Sequence, residues 1–164
     1  MSTRINAELN PHYRDDYWLN LNDNERKNIK DINKGVLPFL ISGMNKTKGL
    51  VDNTILYHGV DNSGLVNIHS RIGDKVDLKS FISTSFHESV AETYGGNTSD
   101  NGARLYIKFL APKGVKGVAS NCRGNNERYL SPFPWEHEYL LDKGQSGRIV
   151  DIDYDTGCVT VLLE

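Results

Sequence analysis

The sequence predicts an α+β domain on three observations. The first fifty residues carry helix caps and apolar residues at helical spacing, the chain changes to short apolar runs bounded by turn residues from Thr54, and the two patterns do not interleave. Repeating βαβ units would alternate them, so helices first and strands after describe a segregated architecture. Asn10-Pro11 reads as an N-cap followed by proline at the first helical position, leading into Tyr13, Tyr17, Trp18 and Leu21 at helical spacing. Asn22 with Glu25 three residues on resembles a capping box, and Ile29, Ile32 and Val36 mark one apolar face beyond it. Gly35 and Pro38 are expected to break this run, with a short third helix before Gly49. Strands are expected at Ile55–His58 (ending at Gly59), Phe81–Phe86, Leu105–Leu110, Val115–Ser120, Glu136–Leu141, Gly147–Ile152 and Cys158–Leu163. A short helix over Ser89–Tyr94, a polar loop at Gly95–Gly102 and a hairpin turn at Asp155-Thr156-Gly157 complete the expected order.

A chain of 164 residues fits one domain, residues 1–164, with a helical lobe over 1–50 and a strand-rich core over 51–164. It is long enough to bury a core without disulfide or metal staples. Nineteen basic against twenty-one acidic side chains argue against a strongly electropositive nucleic-acid binder, while leaving room for a local basic groove. Cys122 and Cys158 lack CxxC spacing and suit reduced thiols in a cytoplasmic protein. Met1–Asn10 has no apolar core of a signal peptide, and the longest apolar stretch, Val36–Ile41, is interrupted by Pro38, so no membrane partner is expected.

Several motifs fail on chemistry. Asp151, Asp153 and Asp155 alternate like the start of a calcium loop, but Thr156 stands where glycine is needed and Leu162 where a bidentate glutamate is needed. They read as solvated charges on one strand face. The histidines show no HExxH spacing, so no metal site is expected. The glycines at 95, 96 and 102 form neither a P-loop nor a dinucleotide fingerprint.

Glu136-His137-Glu138 is different. On one strand, residues two apart share a face, which would set the two carboxylates side by side with roughly 7 Å between their Cα atoms. Such a pair suits chemistry at an anomeric carbon, one carboxylate steadying positive charge while the other handles a proton. Two ordinary surface glutamates on a solvent-facing strand are the plainer alternative. In Phe81-Ile82-Ser83-Thr84-Ser85, alternation puts Phe81, Ser83 and Ser85 on one face, where a hydroxyl can donate to a carboxylate and fix its rotamer.

Together with Leu56-Tyr57-His58-Gly59, these pieces in this order resemble the ADP-ribosyltransferase family of the arginine–serine–glutamate type, which includes bacterial toxins and enzymes carried by bacteriophages. Phe81–Ser85 is similar to the family's Phe-x-Ser-Thr-Ser strand. Phe133-Pro134-Trp135-Glu136-His137-Glu138 is similar to its (Gln/Glu)-x-Glu pair preceded by an aromatic turn, and Ala111–Gly117 looks like the segment after the intervening strand. The resemblance spans about Ile55 to the C-terminus. It implies N-terminal helices packed on a mixed, mainly antiparallel two-sheet β core, with NAD as co-substrate, no metal, and transfer of ADP-ribose to an intracellular acceptor macromolecule.

The resemblance also implies roles. Gly59 would hold the nicotinamide amide through its backbone, with Phe86 or Tyr94 packing on the ring. Glu138 would bond the nicotinamide ribose, oriented by Ser83 within the Ser83-Thr84-Ser85 run, and Glu136 would position the acceptor and take its proton. The loop from Gly124 to Trp135 would meet the acceptor, with Phe133 and Trp135 as contacts. Glutamate at position 136 goes with arginine acceptors in the family, so a protein arginine is the expected target. The family's first-motif arginine is His58 here; the diphtheria-toxin branch has histidine at that point. Phosphate anchoring then falls to other side chains, with Arg71, Arg104, Arg123 and Arg128 as candidates. A nucleic-acid-modifying transferase, a glycoside or nucleoside hydrolase using the same carboxylates, and a catalytically silent binding module remain open.

Overall fold

Asn22 opens the first described helix by the reciprocal device its sequence announces: its side chain accepts from the Glu25 N–H at 3.0 Å, and its own N–H donates to Glu25 Oε2 at 2.9 Å. The computed structural model describes residues 21–60, 65–67, 69–95, 105–119 and 134–164. The helix expected after Asn10-Pro11 and nearly all of the expected loop at 95–102 lie outside them. Helix α1 (Asp23–Lys46) is continuous for 24 residues and passes through Gly35 and Pro38, so the expected break and third helix are corrected to one helix. Proline in a helix interior costs about 3 kcal/mol. Here burial on both sides of it offsets that cost: Val36, Leu37, Leu40 and Ile41 pack with Met44 against Phe81, Val118 and Leu140. The helix ends at Thr47, whose hydroxyl donates to the Met44 carbonyl at 2.9 Å. No described helix is long and apolar enough to cross a membrane.

The strands are β1 (Thr54–Gly59), β2 (Lys75–Asp77), β3 (Ile82–Ser85), β4 (Tyr106–Ala111), β5 (Gly117–Ala119), β6 (Glu138–Leu141), β7 (Ser146–Asp153) and β8 (Cys158–Leu163), with helix α2 (Glu88–Tyr94) between β3 and β4. Strand β2 was not expected; three residues are too few to show an alternating pattern. The Asp153 carboxylate belongs to the β7–β8 turn, accepting from the Asp155 N–H at 2.9 Å and the Thr156 N–H at 3.2 Å. The Thr156 hydrogen bonds are the main reason its pKa falls below the ordinary carboxylate value.

All eight described strands belong to one mixed sheet, ordered β2-β7-β8-β4-β1-β3-β6-β5, in place of the two sheets expected. Among the described strands only β4 and β8 pair in parallel. β1 and β4 align over six residue pairs, whereas β1 meets β3 at the single pair Tyr57↔Ser85. The sheet is therefore two ladders joined at one point. Val76 and Leu78, at the β2 edge, share one buried cluster with Ile82, Tyr139 and Leu141 of β3 and β6. Six strand spacings at about 4.8 Å would separate β2 from β6 in a flat sheet by nearly 30 Å, so the sheet curls until its two arms face each other. The two-layer arrangement is thus made from one continuous sheet. The join between the arms brings the chemistry-bearing motifs together.

Candidate functional site

Strands β3 and β6 pair antiparallel with Ser83 opposite Leu140 and Ser85 opposite Glu138. Glu138 reaches the diagonal neighbour instead of the direct one: Ser83 Oγ donates to Glu138 Oε1 at 2.6 Å. A short hydroxyl–carboxylate bond of this kind fixes the carboxylate's rotamer. His58, near the end of β1, places Nδ1 2.8 Å from the Ser83 carbonyl oxygen. A carbonyl only accepts, so Nδ1 carries the ring proton and, in the neutral ring, Nε2 is an acceptor. His58, Ser83 and Glu138 therefore form one connected chain across the join between the arms.

The carboxylate pair departs from expectation. Glu136 closes a 3-10 turn (Pro134–Glu136), β6 begins only at Glu138, and His137 between them has φ 45°. A single strand carrying both glutamates on one face is therefore corrected to a turn that sends them to different partners. The left-handed conformation costs a non-glycine residue about 1–2 kcal/mol. Its neighbours hold it. Ser85 Oγ donates to the Glu136 carbonyl at 2.7 Å while accepting from the His87 N–H at 3.0 Å, and the His87 and His137 rings meet edge-on with centroids 4.7 Å apart. The Glu136 carboxylate is turned toward α2, where the Tyr94 hydroxyl donates to its Oε1 at 2.5 Å. That hydrogen bond is the main cause of a Tyr94 pKa above the ordinary phenol value, with burial and the carboxylate's charge adding to it.

The other expected residues fall as follows. Thr84 points to the opposite, buried face and donates to the Tyr139 carbonyl at 2.5 Å, so its hydroxyl fastens β3 to β6 and does not line the site. Phe86 stands partly exposed with its ring edge-on to Tyr139, centroids 5.8 Å apart. A Cβ on Gly59 would lie 2.5 Å from the Ala91 carbonyl oxygen and 2.7 Å from the Gly95 nitrogen. Glycine there is what lets the last turn of α2 lie against β1. Trp135, next to Glu136 in the chain, and Tyr94, bonded to its carboxylate, are both exposed, 58% and 53% accessible. Arg71 lies in the turn ahead of edge strand β2, its N–H bonded to Asp74 Oδ2 at 2.8 Å. Phe133, Arg104, Arg123, Arg128 and the loop from Gly124 to Phe133 lie outside the described residues, as does Cys122. Among the described residues no group of three histidine, cysteine or acidic side chains could hold a metal ion. Sequence reasoning missed the hydroxyl function of Tyr94 and the left-handed turn at His137. No local pattern encodes either, because both depend on how α2 lies against the β3–β6 pair.

No protein-family model matches the chain, and no curated protein matches it closely enough to count as a relative. Solved structures do match. An ADP-ribosyltransferase from Clostridium botulinum, solved in a triclinic form, superposes with a TM-score of 0.51 at 20% identity, over 76% of this chain and 65% of that one. The Vis toxin, an ADP-ribosyltransferase from Vibrio splendidus, gives 0.59 at 16% identity, over 99% of this chain and 66% of that one; the Vis structure in complex with agmatine gives 0.60 at 17%, over 99% and 67%. Exoenzyme S from Pseudomonas aeruginosa, solved with human 14-3-3 protein beta and carba-NAD, gives 0.57 at 15%, over 99% and 72%. The chain thus spans just under two thirds of the length of the Clostridium enzyme and of the Vis toxin. At these identities the likeness is one of fold, and the fold is that of ADP-ribosyltransferase toxins.

Proposed function

We propose that this protein is a mono-ADP-ribosyltransferase that breaks the nicotinamide–ribose bond of NAD and transfers ADP-ribose to a guanidinium-bearing acceptor, most simply a protein arginine. The observation that carries the reading is the chain from the His58 ring through Ser83 to the Glu138 carboxylate, assembled from three distant segments at the join of the sheet. A purely structural carboxylate gains from such a hydroxyl only the modest stability of one hydrogen bond. One that must face a growing positive charge gains orientation.

The residues suit the substrate. His58, with its proton on Nδ1, ties the end of β1 to the Ser83 main chain and so seats the strand that carries the hydroxyl beside Glu138. Glu138 would accept from a hydroxyl of the nicotinamide ribose and set negative charge beside the anomeric carbon as the glycosidic bond lengthens. Phe86, with Tyr94, offers aromatic surface for the nicotinamide ring. Glu136 would orient the acceptor and take its proton. In balance, the acceptor nitrogen forms the new bond to the ribose carbon, nicotinamide leaves with the electron pair of the old bond, and one proton passes to the carboxylate. Agmatine bound to the Vis toxin carries a guanidinium group, which supports that acceptor class here. The cytoplasm is the proposed place of action.

Purified protein incubated with NAD labelled in the adenylate and a bacterial lysate should leave label on macromolecules that resist nuclease and yield to protease. Label removed by nuclease would move the acceptor to nucleic acid. Wild-type protein that releases no nicotinamide in any fraction would contradict the transferase reading.

A further inference from the structure

We infer that Tyr94 is a positioning residue for Glu136, its hydroxyl aiming the acceptor-side carboxylate as Ser83 aims Glu138. This deepens the transferase reading and rests on it. The two glutamates are two residues apart in sequence yet are held by two different hydroxyls: Ser83 Oγ at 2.6 Å from Glu138 Oε1, and the Tyr94 hydroxyl at 2.5 Å from Glu136 Oε1. The left-handed His137 turns them apart.

Three contacts fix the tyrosine. Tyr94 is the last residue of α2, where the Gly95 N–H bonds the Ala91 carbonyl at 2.8 Å. Gly59 carries no Cβ that would push that turn off β1. Ala91 is buried against Tyr106 and Cys158, with Tyr57 packed alongside. The phenol thus projects from a seated turn, and its reach to Glu136 is set by packing. On the other side, Ser85 holds the Glu136 backbone by its carbonyl. Carboxylate and main chain of Glu136 are fastened independently.

The chemistry follows from the donor's nature. A phenol donating to Glu136 fixes the direction in which the carboxylate faces, and a base takes a proton only from a nucleophile it already faces. It occupies Oε1 and leaves Oε2 as the oxygen that meets the acceptor. Loss of the hydroxyl should therefore weaken transfer to an acceptor more than cleavage of NAD, which depends on Glu138.

Tyr94→Phe keeps the ring and removes the donor. With NAD and agmatine supplied together, wild-type protein should divide ADP-ribose between agmatine and water. In Tyr94→Phe the ratio of transfer to hydrolysis should fall about tenfold, the effect of one hydrogen bond to a charged group. The loss should fall on kcat for transfer, with the KM for agmatine changed less. Glu136→Gln supplies the limiting ratio, and a Tyr94→Phe/Glu136→Gln double variant should be no worse than Glu136→Gln alone. An unchanged ratio in Tyr94→Phe, or full additivity in the double variant, overturns the role of Tyr94 while leaving the transferase reading intact. Wild-type protein that cleaves no NAD overturns the reading itself, and this role with it.

Discussion

At residue scale the account turns on hydroxyls that aim carboxylates. Ser83→Ala removes the donor 2.6 Å from Glu138 and opens little space, so it tests orientation apart from packing. NAD cleavage should lose about 10- to 100-fold in kcat with a smaller change in KM, as expected when a group acting mainly in the transition state loses its aim. Steady-state nicotinamide release checks it, and an unchanged kcat would remove Ser83 from the machinery. Much of this was legible in the chain. Alternation alone placed Ser83 and Ser85 on one face of their strand, and the register of β3 with β6 keeps them there. The same rule misplaced Glu136, because β6 starts two residues later than its pattern suggests and His137 turns the chain. Period-two reasoning works inside a strand and fails at its first residue, where side-chain contacts from elsewhere decide the backbone.

At the scale of elements, α2 is the part that couples the core to the site. Its first residue, Glu88, accepts from the Tyr106 hydroxyl at 2.8 Å, and its last, Tyr94, donates to Glu136. Burial above all, then the bond to Glu88, raises the Tyr106 pKa far above the ordinary phenol value of 10.0; the bond to Glu136, then burial, raises that of Tyr94. In both cases the folded protein favours the protonated form. Their contribution to stability is therefore complete below the unfolded value of 10.0 and is lost as pH rises through the higher folded values. Thermal midpoints should hold level from about pH 7 to 9 and fall above about pH 10. Tyr106→Phe should start about 1 kcal/mol lower and fall less steeply. Equal slopes in the two proteins would contradict this account of how α2 is held. Helix α1 shows the opposite lesson about legibility. Gly35 and Pro38 are real breaking signals, yet Met44 and Phe81 are each only 1% accessible, and burial of that face keeps the helix whole.

At the scale of the molecule, the α+β order of helix and strands was readable from local pattern, but the closure of the sheet was not. Seven of the eight strands carry the alternation or apolar runs that announce a strand. The curl that gathers residues of β2 and β6 into one buried cluster, and the single Tyr57↔Ser85 pair that joins the arms, are properties of packing between segments far apart in sequence. The site sits at that join, and this explains why short, individually weak motifs become informative only as an ordered set. His58, Ser83 and Glu138 come from β1, β3 and β6, neighbours in the sheet though eighty residues separate the first from the last. Chemistry at the join is the central claim, and its most direct test is nicotinamide release from NAD by wild-type protein and by Glu138→Gln, whose amide retains the shape and loses the charge. The account predicts measurable release by the wild type and a loss of at least about a hundredfold in the variant, the scale of one electrostatic stabiliser in an active site. Equal rates in the two proteins, or no release by the wild type with acceptor present, would contradict it.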